Sequence, residues 1–431
     1  MIGKRRVIAA ALAVVLTAGL AACGGSSEEN SGSVDTGGAE GADDGAKLTL
    51  WTRAPLEAQA KLLVDAYNKS HKNQVALTIV PNDDYVAKVG AAAGSGDLPD
   101  LFAADIVYVP NWTDAGLFAD LTQQISELPY VDKINKGHLD AGTLDGKRYV
   151  LPFVLDLSVM FWNKDLYREA GLDPEKGPAS LAEFKEHALA VQKLNRKGVY
   201  GSSFGGNCGG CGVFTWFPMI WASGEEVMNP EGTEALLAGP AAKEVYSTWR
   251  ELWSAGAVDP SSRDETGATW VAGFQQGKIG VMPYPATLLQ TADKTVKVGV
   301  TPLSGVSGGA STFVGGDGIG ISKDSGKAAQ AWNFLSWMMS EQAQVNVLAA
   351  NNTVVSRSDL ADNEHSRKDP RVLAINEVAA APASKTPVAK NFQQAYNAAG
   401  SPWVALFRDQ IFSGGTDPAA GNTAITEVLG Q

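Results

Sequence analysis

The chain has 431 residues, a formal net charge of −12 and 45% hydrophobic residues. The acidic balance argues against binding to nucleic acid or to an anionic membrane surface, because both require basic patches. The length exceeds what one hydrophobic core usually serves, so we expect more than one domain.

The N-terminus has the pattern of a lipoprotein signal peptide. Three cations at positions 4–6 precede an uncharged apolar run at 7–20. A bilayer-spanning helix needs about 20 apolar residues, so this run is typical of a signal-peptide core. Leu-Ala-Ala then leads into Cys23, as in a bacterial lipobox. We predict that residues 1–22 are removed and that Cys23 is acylated, for example with palmitate.

The next segment, 23–46, consists mainly of Gly, Ser, Ala, Asp and Glu. It cannot bury enough apolar surface to fold, so we predict a disordered tether and a folded region that starts near Lys47. With the lipid as its one membrane attachment, the protein is expected on the extracellular face of the cytoplasmic membrane. In a cell with two membranes this location is the periplasm.

The first part of the folded region alternates strands and helices. Strand patterns at 48–51, 75–80 and 100–105 are separated by helical patterns at 56–67 and 85–93. This alternation predicts an α/β unit with a largely parallel sheet.

The remainder continues the α/β pattern. Two strands are predicted at 149–152 and 159–162, on either side of a crossover. A helix is predicted at 180–194, where Ser180 and Glu183 form a capping box. Further helices are expected at 241–255, 328–339 and, with Pro breaks, from 371 onward, and further strands at 278–282, 296–300 and 318–322.

Cys208 and Cys211 form a Cys-Gly-Gly-Cys motif. Outside the cell so close a pair should be oxidised, and closing a four-residue loop contributes about 2 kcal/mol, so we expect a disulfide that fixes a local loop. A thioredoxin-like role requires the motif to open a helix after a strand, which the sequence does not indicate. The four His are scattered and no second Cys pair exists, so neither a metal site nor a cofactor is expected.

Several short motifs, in this order along the chain, resemble those of the family 1 extracellular solute-binding proteins, which include the maltose-binding proteins. Trp162 stands where the family usually has Tyr. The motifs are 48–51 (LTLW), 94–101 (GSGDLPDL), 114–121 (DAGLFADL), 151–152, 161–166 (FWNKDL), 170–172 (AGL), 221–224 (WASG), 274–278 (FQQGK) and the helix at 328–340.

The resemblance implies a two-lobed α/β fold of the type II periplasmic-binding-protein class, with a ligand cleft between the lobes. Lobe 1 would contain 47–153 and 315–351, and lobe 2 would contain 154–314 and 352–431. The implied function is that of a monomeric binding protein, not an enzyme, which passes a carbohydrate to the permease of an ABC importer. A di- or oligosaccharide is the expected ligand.

Sugar binding needs carboxylates or amides that accept from hydroxyls, and aromatic rings that lie against C–H faces. Asp105 ends a buried strand and Asp156 lies in a strand between the lobes, and both match ligand-binding acids of the relatives. Arg53, after the first strand, supplies donors or pairs with one of these acids. The other candidates are Trp51, Asn207, Trp216, Trp221, Trp270, Tyr284 and Asp317.

Other functions stay open at this point. Acids and aromatics also suit a polyamine on the same fold. A secreted carbohydrate-active enzyme needs two carboxylates about 5–10 Å apart across the scissile bond. A purely structural lipoprotein would bind no small ligand. The Gly-x-Ser-x-Gly motif at 305–309 has no helix pattern after it, so it does not indicate a nucleophile elbow.

Overall fold

The computed structural model describes Thr36 and residues 38–431 apart from Asp293. The predicted signal peptide and Cys23 lie outside the described residues. The strands are β1 Lys47–Arg53, β2 Gln74–Val80, β3 Leu101–Asp105, β4 Thr143–Leu144, β5 Lys147–Arg148, β6 Leu151–Asn163, β7 Val281–Pro285, β8 Val298–Gly305, β9 Gly308–Ser311 and β10 Val314–Ile321. The helices are α1 Glu57–Ser70, α2 Asn82–Ser95, α3 Val109–Asp114, α4 Thr122–Ser126, α5 Lys136–Ala141, α6 Lys164–Glu169, α7 Leu181–Gln192, α8 Gly209–Trp221, α9 Pro240–Ser254, α10 Ala272–Gln275, α11 Leu289–Ala292, α12 Ala328–Met338, α13 Pro370–Ala379, α14 Pro402–Arg408 and α15 Ala419–Leu429, with π-helical turns at Gln342–Leu348, Gln393–Asn397 and Asp409–Ser413.

The segment just before β1 is bound to the fold. Trp332 Nε1 donates to the carbonyl of Ala39 at 2.9 Å, and Asn73 Nδ2 donates to the carbonyl of Ala42 at 2.7 Å. The structure therefore differs from the predicted boundary at Lys47, because buried polar side chains provide partners for this polar backbone.

One mixed sheet joins the strands in the order β2-β1-β3-β10-β6-β8-β9, and β7 also pairs with β6. The predicted parallel arrangement holds for β1, β2 and β3. Elsewhere the pairs are antiparallel, because β10 runs against both of its neighbours and β8 turns directly into β9. The sheet is thus mixed instead of largely parallel. The Gly-x-Ser-x-Gly motif forms this β8–β9 turn.

The prediction of two strands separated by a crossover was wrong, because β6 is one continuous strand of 13 residues. Its first part, 151–157, pairs with β10, and its second part, 158–163, pairs with β7 and β8. All of its residues are buried except Asp156, which is partly exposed. A strand buried on both faces has no polar–apolar alternation to show its continuity.

The predicted helices are present, and their capping agrees with the sequence. Ser180 Oγ accepts from the Glu183 backbone N–H at 3.2 Å at the start of α7, and Glu183 reaches back to the Ala179 N–H. Within the described residues no helix is both long and apolar enough to cross a bilayer.

Aromatic residues fill two of the hydrophobic cores. Trp332 and Phe334 of α12 pack with residues of β1 and α1. Trp216, Trp249 and Trp403 are almost fully buried in a second cluster, where the ring centroids of Trp216 and Trp249 lie 5.6 Å apart. Truncating such a ring to Ala typically costs about 3–5 kcal/mol, so these Trp residues serve the core.

Gly316 lets β10 pass close to β6. Its φ is +97°, and a Cβ there would lie 1.9 Å from the carbonyl oxygen of Val154. A side chain at this position meets both a disfavoured backbone conformation and a fixed backbone atom.

We predict that Gly316→Ala lowers the free energy of unfolding by about 2 kcal/mol or more, because the strain of a positive φ is added to the clash. Urea denaturation measures the change. Gly326→Ala is the matched control, since nothing lies within 4 Å of its Cβ position. Equal stabilities of the two variants would contradict the prediction.

Candidate functional site

Polar residues from four strands meet at one edge of the sheet. Arg53 and Asp105 are the last residues of the parallel strands β1 and β3. Asp317 of β10 lies opposite Asp105, and Asp156 of β6 lies opposite Gly315. This edge is where carboxyl ends of parallel strands present side chains to ligands.

Arg53 holds two carboxylates together. Its Nη2 lies 2.6 Å from Asp317 Oδ1 and 3.1 Å from Asp105 Oδ2, and its Nε lies 2.8 Å from Asp317 Oδ1. The Asp317 side chain is fully buried, whereas those of Arg53 and Asp105 are 15% and 26% exposed. The cluster therefore has a closed end at Asp317 and an open end at Asp105.

The charged groups of this cluster shift one another's pKa values. Burial lowers the pKa of Arg53, but the charges of Asp105 and Asp317 outweigh it and the pKa is raised. Burial raises the pKa of Asp317 to about 6, although the charge of Arg53 lowers it. The guanidinium thus remains charged at any physiological pH.

Asp156 is the acid with the most unusual environment. Burial raises its pKa to about 7, and the charge of Arg53 offsets only part of this effect. Its Oδ1 is buried and has no hydrogen-bond partner among the described residues. The backbone N–H groups of Leu157 and Thr287 also lower the pKa of this carboxyl group, while Oδ1 is left for a donor from a ligand.

These residues open into a cavity of about 480 Å³. Its aromatic side contains Trp270 and Tyr284, with ring centroids 4.6 Å apart, and Phe214 and Phe313, with centroids 5.1 Å apart. The cavity thus combines charged and polar groups with aromatic side chains in its lining. Its lining includes Arg53, Gln59, Asp105, Asp156, Gly210, Cys211, Phe214, Gly267, Trp270, Tyr284, Thr287, Gln290, Phe313, Gly316 and Asn397.

Of the ten residues predicted to bind ligand, five line this cavity, and Asp317 lies behind Arg53 and orients it. Trp216 and Trp221 do not reach the cavity, because they are 1% and 4% exposed and pack in the core. No sequence pattern indicates this orientation, since α8 is apolar around most of its circumference.

Trp51 and Asn207 also lie away from the cavity lining. The ring of Trp51 packs beneath Lys88, whose Nζ lies 4.5 Å from the ring centroid. Asn207 is exposed, and its backbone N–H donates to the Glu265 carbonyl at 2.9 Å. Neither residue therefore lies where a ligand in the cavity would contact it.

Sequence reasoning missed several lining residues, above all Gln59 and Phe214. A sequence pattern could have indicated Gln59, because it lies on the apolar face of α1 with Leu56 and Leu63. A polar residue on such a face is unusual. No pattern indicates Phe214, since it is one of many apolar residues in α8.

The predicted disulfide joins Cys208 to Cys211 with an S–S distance of 1.96 Å. Contrary to expectation the motif opens a helix, because Cys208 is the N-cap of α8 and its Sγ accepts from the Cys211 N–H. The sulfur atoms lie about 3.1–3.2 Å from the Cβ position of Gly267. The bridge therefore packs against the loop that leads to Trp270 and fixes one wall of the cavity.

No group of three or more His, Cys, Asp or Glu side chains within the described part of the chain is arranged to hold a metal ion. The groups that line the site are carboxyl, guanidinium, amide and aromatic groups.

Residues 52–345 match the family of bacterial extracellular solute-binding proteins. The chain belongs to this family. Among similar proteins, the diacetylchitobiose-binding protein DasA of Streptomyces coelicolor is 26% identical over 376 residues, which is 84% of each chain. A putative binding protein of Brucella abortus is 25% identical over 264 residues, which is 60% of this solute-binding protein and 63% of the relative.

Solved structures show the same fold. The cyclic α-maltosyl-1,6-maltose-binding protein of Arthrobacter globiformis has a TM-score of 0.75 at 23% identity, covering 89% of this chain and 99% of the other. A substrate-binding protein of Listeria monocytogenes in complex with cycloalternan has a TM-score of 0.73 at 20% identity, covering 90% and 98%. The predicted two-lobed α/β fold is confirmed, and the exact lobe boundaries stay a prediction.

We predict that Arg53→Met lowers the free energy of unfolding of this solute-binding protein by about 3–5 kcal/mol, because it leaves buried carboxylates without their partner. Urea denaturation at pH 7.5 measures the loss. Arg196→Met is the control, since its pair with Glu169 has side chains about half exposed and should contribute at most about 1 kcal/mol. Similar losses in the two variants would show that the Arg53 cluster has no special role.

We predict that Asp156→Asn reduces the pH dependence of stability. The pKa of Asp156 is raised from 3.8 to about 7 on folding, so its stability contribution is full below pH 4 and is lost as pH rises through 7. The variant should lose less unfolding free energy than wild type between pH 4 and 8 in urea denaturation. The exposed Asp97→Asn should behave as wild type, and an unchanged pH profile in Asp156→Asn would refute the prediction.

Proposed function

We propose that this chain is the solute-binding protein of an ABC importer, and that it binds a carbohydrate in the cavity and delivers it to the permease. The observation that carries the proposal is the composition of the cavity. Arg53 and Asp156 offer a donor and an acceptor at one end, while Phe214, Trp270 and Tyr284 offer ring faces. Sugar rings present both hydroxyls and C–H faces, so they match this arrangement.

The names and complexes of the similar proteins support this ligand class. DasA is named for diacetylchitobiose, the Arthrobacter protein for cyclic α-maltosyl-1,6-maltose, and the Listeria protein is in complex with cycloalternan. These ligands are saccharides of two or more units. A di- or oligosaccharide is accordingly the class that we propose for this chain.

The position of Arg53 at the cavity wall favours a neutral sugar over a polyamine. Arg53 places a permanent cation at the cavity wall between Asp105 and Asp317, and it offsets one of their two negative charges. A polycation would have to approach this guanidinium. A neutral ligand can instead accept from Arg53 and donate to Asp156 without a net charge conflict.

The N-terminal pattern completes the proposal. The cations at 4–6, the apolar run at 7–20 and Cys23 support export and lipid attachment at the outer face of the cytoplasmic membrane, or in the periplasm of a two-membrane cell. The protein would act as a monomeric binder and not as an enzyme. Its partners would be the saccharide and the permease.

We predict that the full chain, purified in mild detergent, binds at least one member of a saccharide panel in isothermal titration calorimetry. Phe214→Ala should raise the Kd of that saccharide at least tenfold, because it removes a ring face, and tenfold corresponds to about 1.4 kcal/mol. Phe412→Ala is the control, since Phe412 is also half-buried but does not line the cavity.

Spermidine and divalent cations belong in the same panel. If spermidine binds and no saccharide does, the chain is still a solute-binding protein, but its ligand is a polyamine and not a carbohydrate. If no saccharide of the panel binds, the proposed function is overturned.

A further inference from the structure

A second chamber of about 250 Å³ adjoins the cavity of about 480 Å³. Gln59, Asp156, Thr287 and Gln290 line both chambers, so these four residues form the junction between them. Small-molecule sites usually have volumes of about 300–1,000 Å³. The two chambers together fall within this range, which fits one ligand that occupies both.

The junction contains buried acceptors without partners. Gln59 is 5% exposed, and its Oε1 has no hydrogen-bond partner among the described residues. Asp156 Oδ1 is likewise buried and unpartnered in that part of the chain. A buried polar group without a hydrogen-bond partner is unfavourable. Two such groups at one constriction therefore point to donors that a ligand brings.

The second chamber differs chemically from the first. Its described lining contains no aromatic ring, and Leu289, Val372 and Ile375 provide aliphatic surface. Thr353 is 4% exposed, and its Oγ1 has no partner within the described chain. This chamber can thus hold a ring by hydroxyl contacts and aliphatic packing instead of aromatic stacking.

Asp369 and Arg371 form an ion pair in the lining of the second chamber, which also contains Lys294. Arg371 Nη2 lies 2.6 Å from Asp369 Oδ2, and Arg371 Nε lies 3.0 Å from Asp369 Oδ1. Arg371 Nη1 also donates to the Val298 carbonyl at 3.1 Å. Because this pair is internally satisfied, it presents no net charge to a ring in the chamber.

We infer that the second chamber is a saccharide subsite, and that Gln59 at the junction determines whether a ligand of two or more rings is retained. This inference rests on the proposed function. One ring lies against Trp270 and Tyr284 in the first chamber, and a neutral second ring lies in the second chamber. Hydroxyls beside the glycosidic linkage donate to Gln59 and Asp156.

The test compares disaccharides with their own monosaccharides by calorimetry on the full chain in detergent. The probes are maltose, cellobiose and diacetylchitobiose against glucose and N-acetylglucosamine. We expect wild type to bind at least one disaccharide 100-fold or more tightly than its monosaccharide. Gln59→Leu should weaken that disaccharide at least tenfold, and by a clearly larger factor than it weakens the monosaccharide.

A second variant addresses the chamber itself without touching the junction. Leu289→Trp fills the second chamber and should weaken the disaccharide at least tenfold while the monosaccharide still binds. Leu236→Trp is its control, because Leu236 is 39% exposed and lies outside both chamber linings. Thermal unfolding of each variant checks that it folds.

The outcomes separate the two proposals. Equal affinity for a disaccharide and its monosaccharide, or disaccharide binding that Gln59→Leu and Leu289→Trp leave unchanged, would overturn the subsite and leave the proposed function intact. Failure of every saccharide to bind would remove the proposed function, and the subsite with it.

Discussion

The guanidinium of Arg53 is the group on which the polar end of the cavity depends. It lies between a fully buried carboxylate, Asp317, and a partly exposed one, Asp105. Three strands, β1, β3 and β10, are thereby connected through side chains as well as through backbone pairing. A buried charge triad of this kind adds little net stability. Its value here is that it fixes the donor atoms of Arg53 at the cavity wall, so that a ligand meets a preorganised site.

The continuous strand β6 gives Asp156 its particular position. Residues before it pair with β10, and residues after it pair with β7 and β8. A ligand bound to Asp156 therefore lies where the strand passes from one part of the sheet to the other. If the lobes move as in other two-lobed binding proteins, only a ligand that contacts both sides can shift the population toward closure. The shared lining of the two chambers at Asp156 provides such a place.

Much of this site follows from sequence rules that have a physical basis. Asp105 was predicted because it ends a buried strand and matches a ligand-binding acid of the relatives, and Arg53 because it follows the first strand. The structure brings the two together at one sheet edge. Periodicity failed where burial is uniform. It missed the continuity of β6 and could not tell that Phe214 faces the cavity while Trp216 of the same helix faces the core. The second chamber combines residues from 59 to 375, and no local pattern indicates that such distant residues will meet.

The two ends of the cavity are assembled over very different distances along the chain. The disulfide in one wall joins two residues with a sequence separation of 3, whereas Arg53 and Asp317 at the polar end are 264 residues apart. A short loop loses little entropy on closing, and a long one loses more. The wall at α8 is therefore encoded locally, while the polar end exists only when distant parts of the chain have met. A ligand that bridges both ends adds its binding energy to these long-range contacts and so stabilises the folded chain.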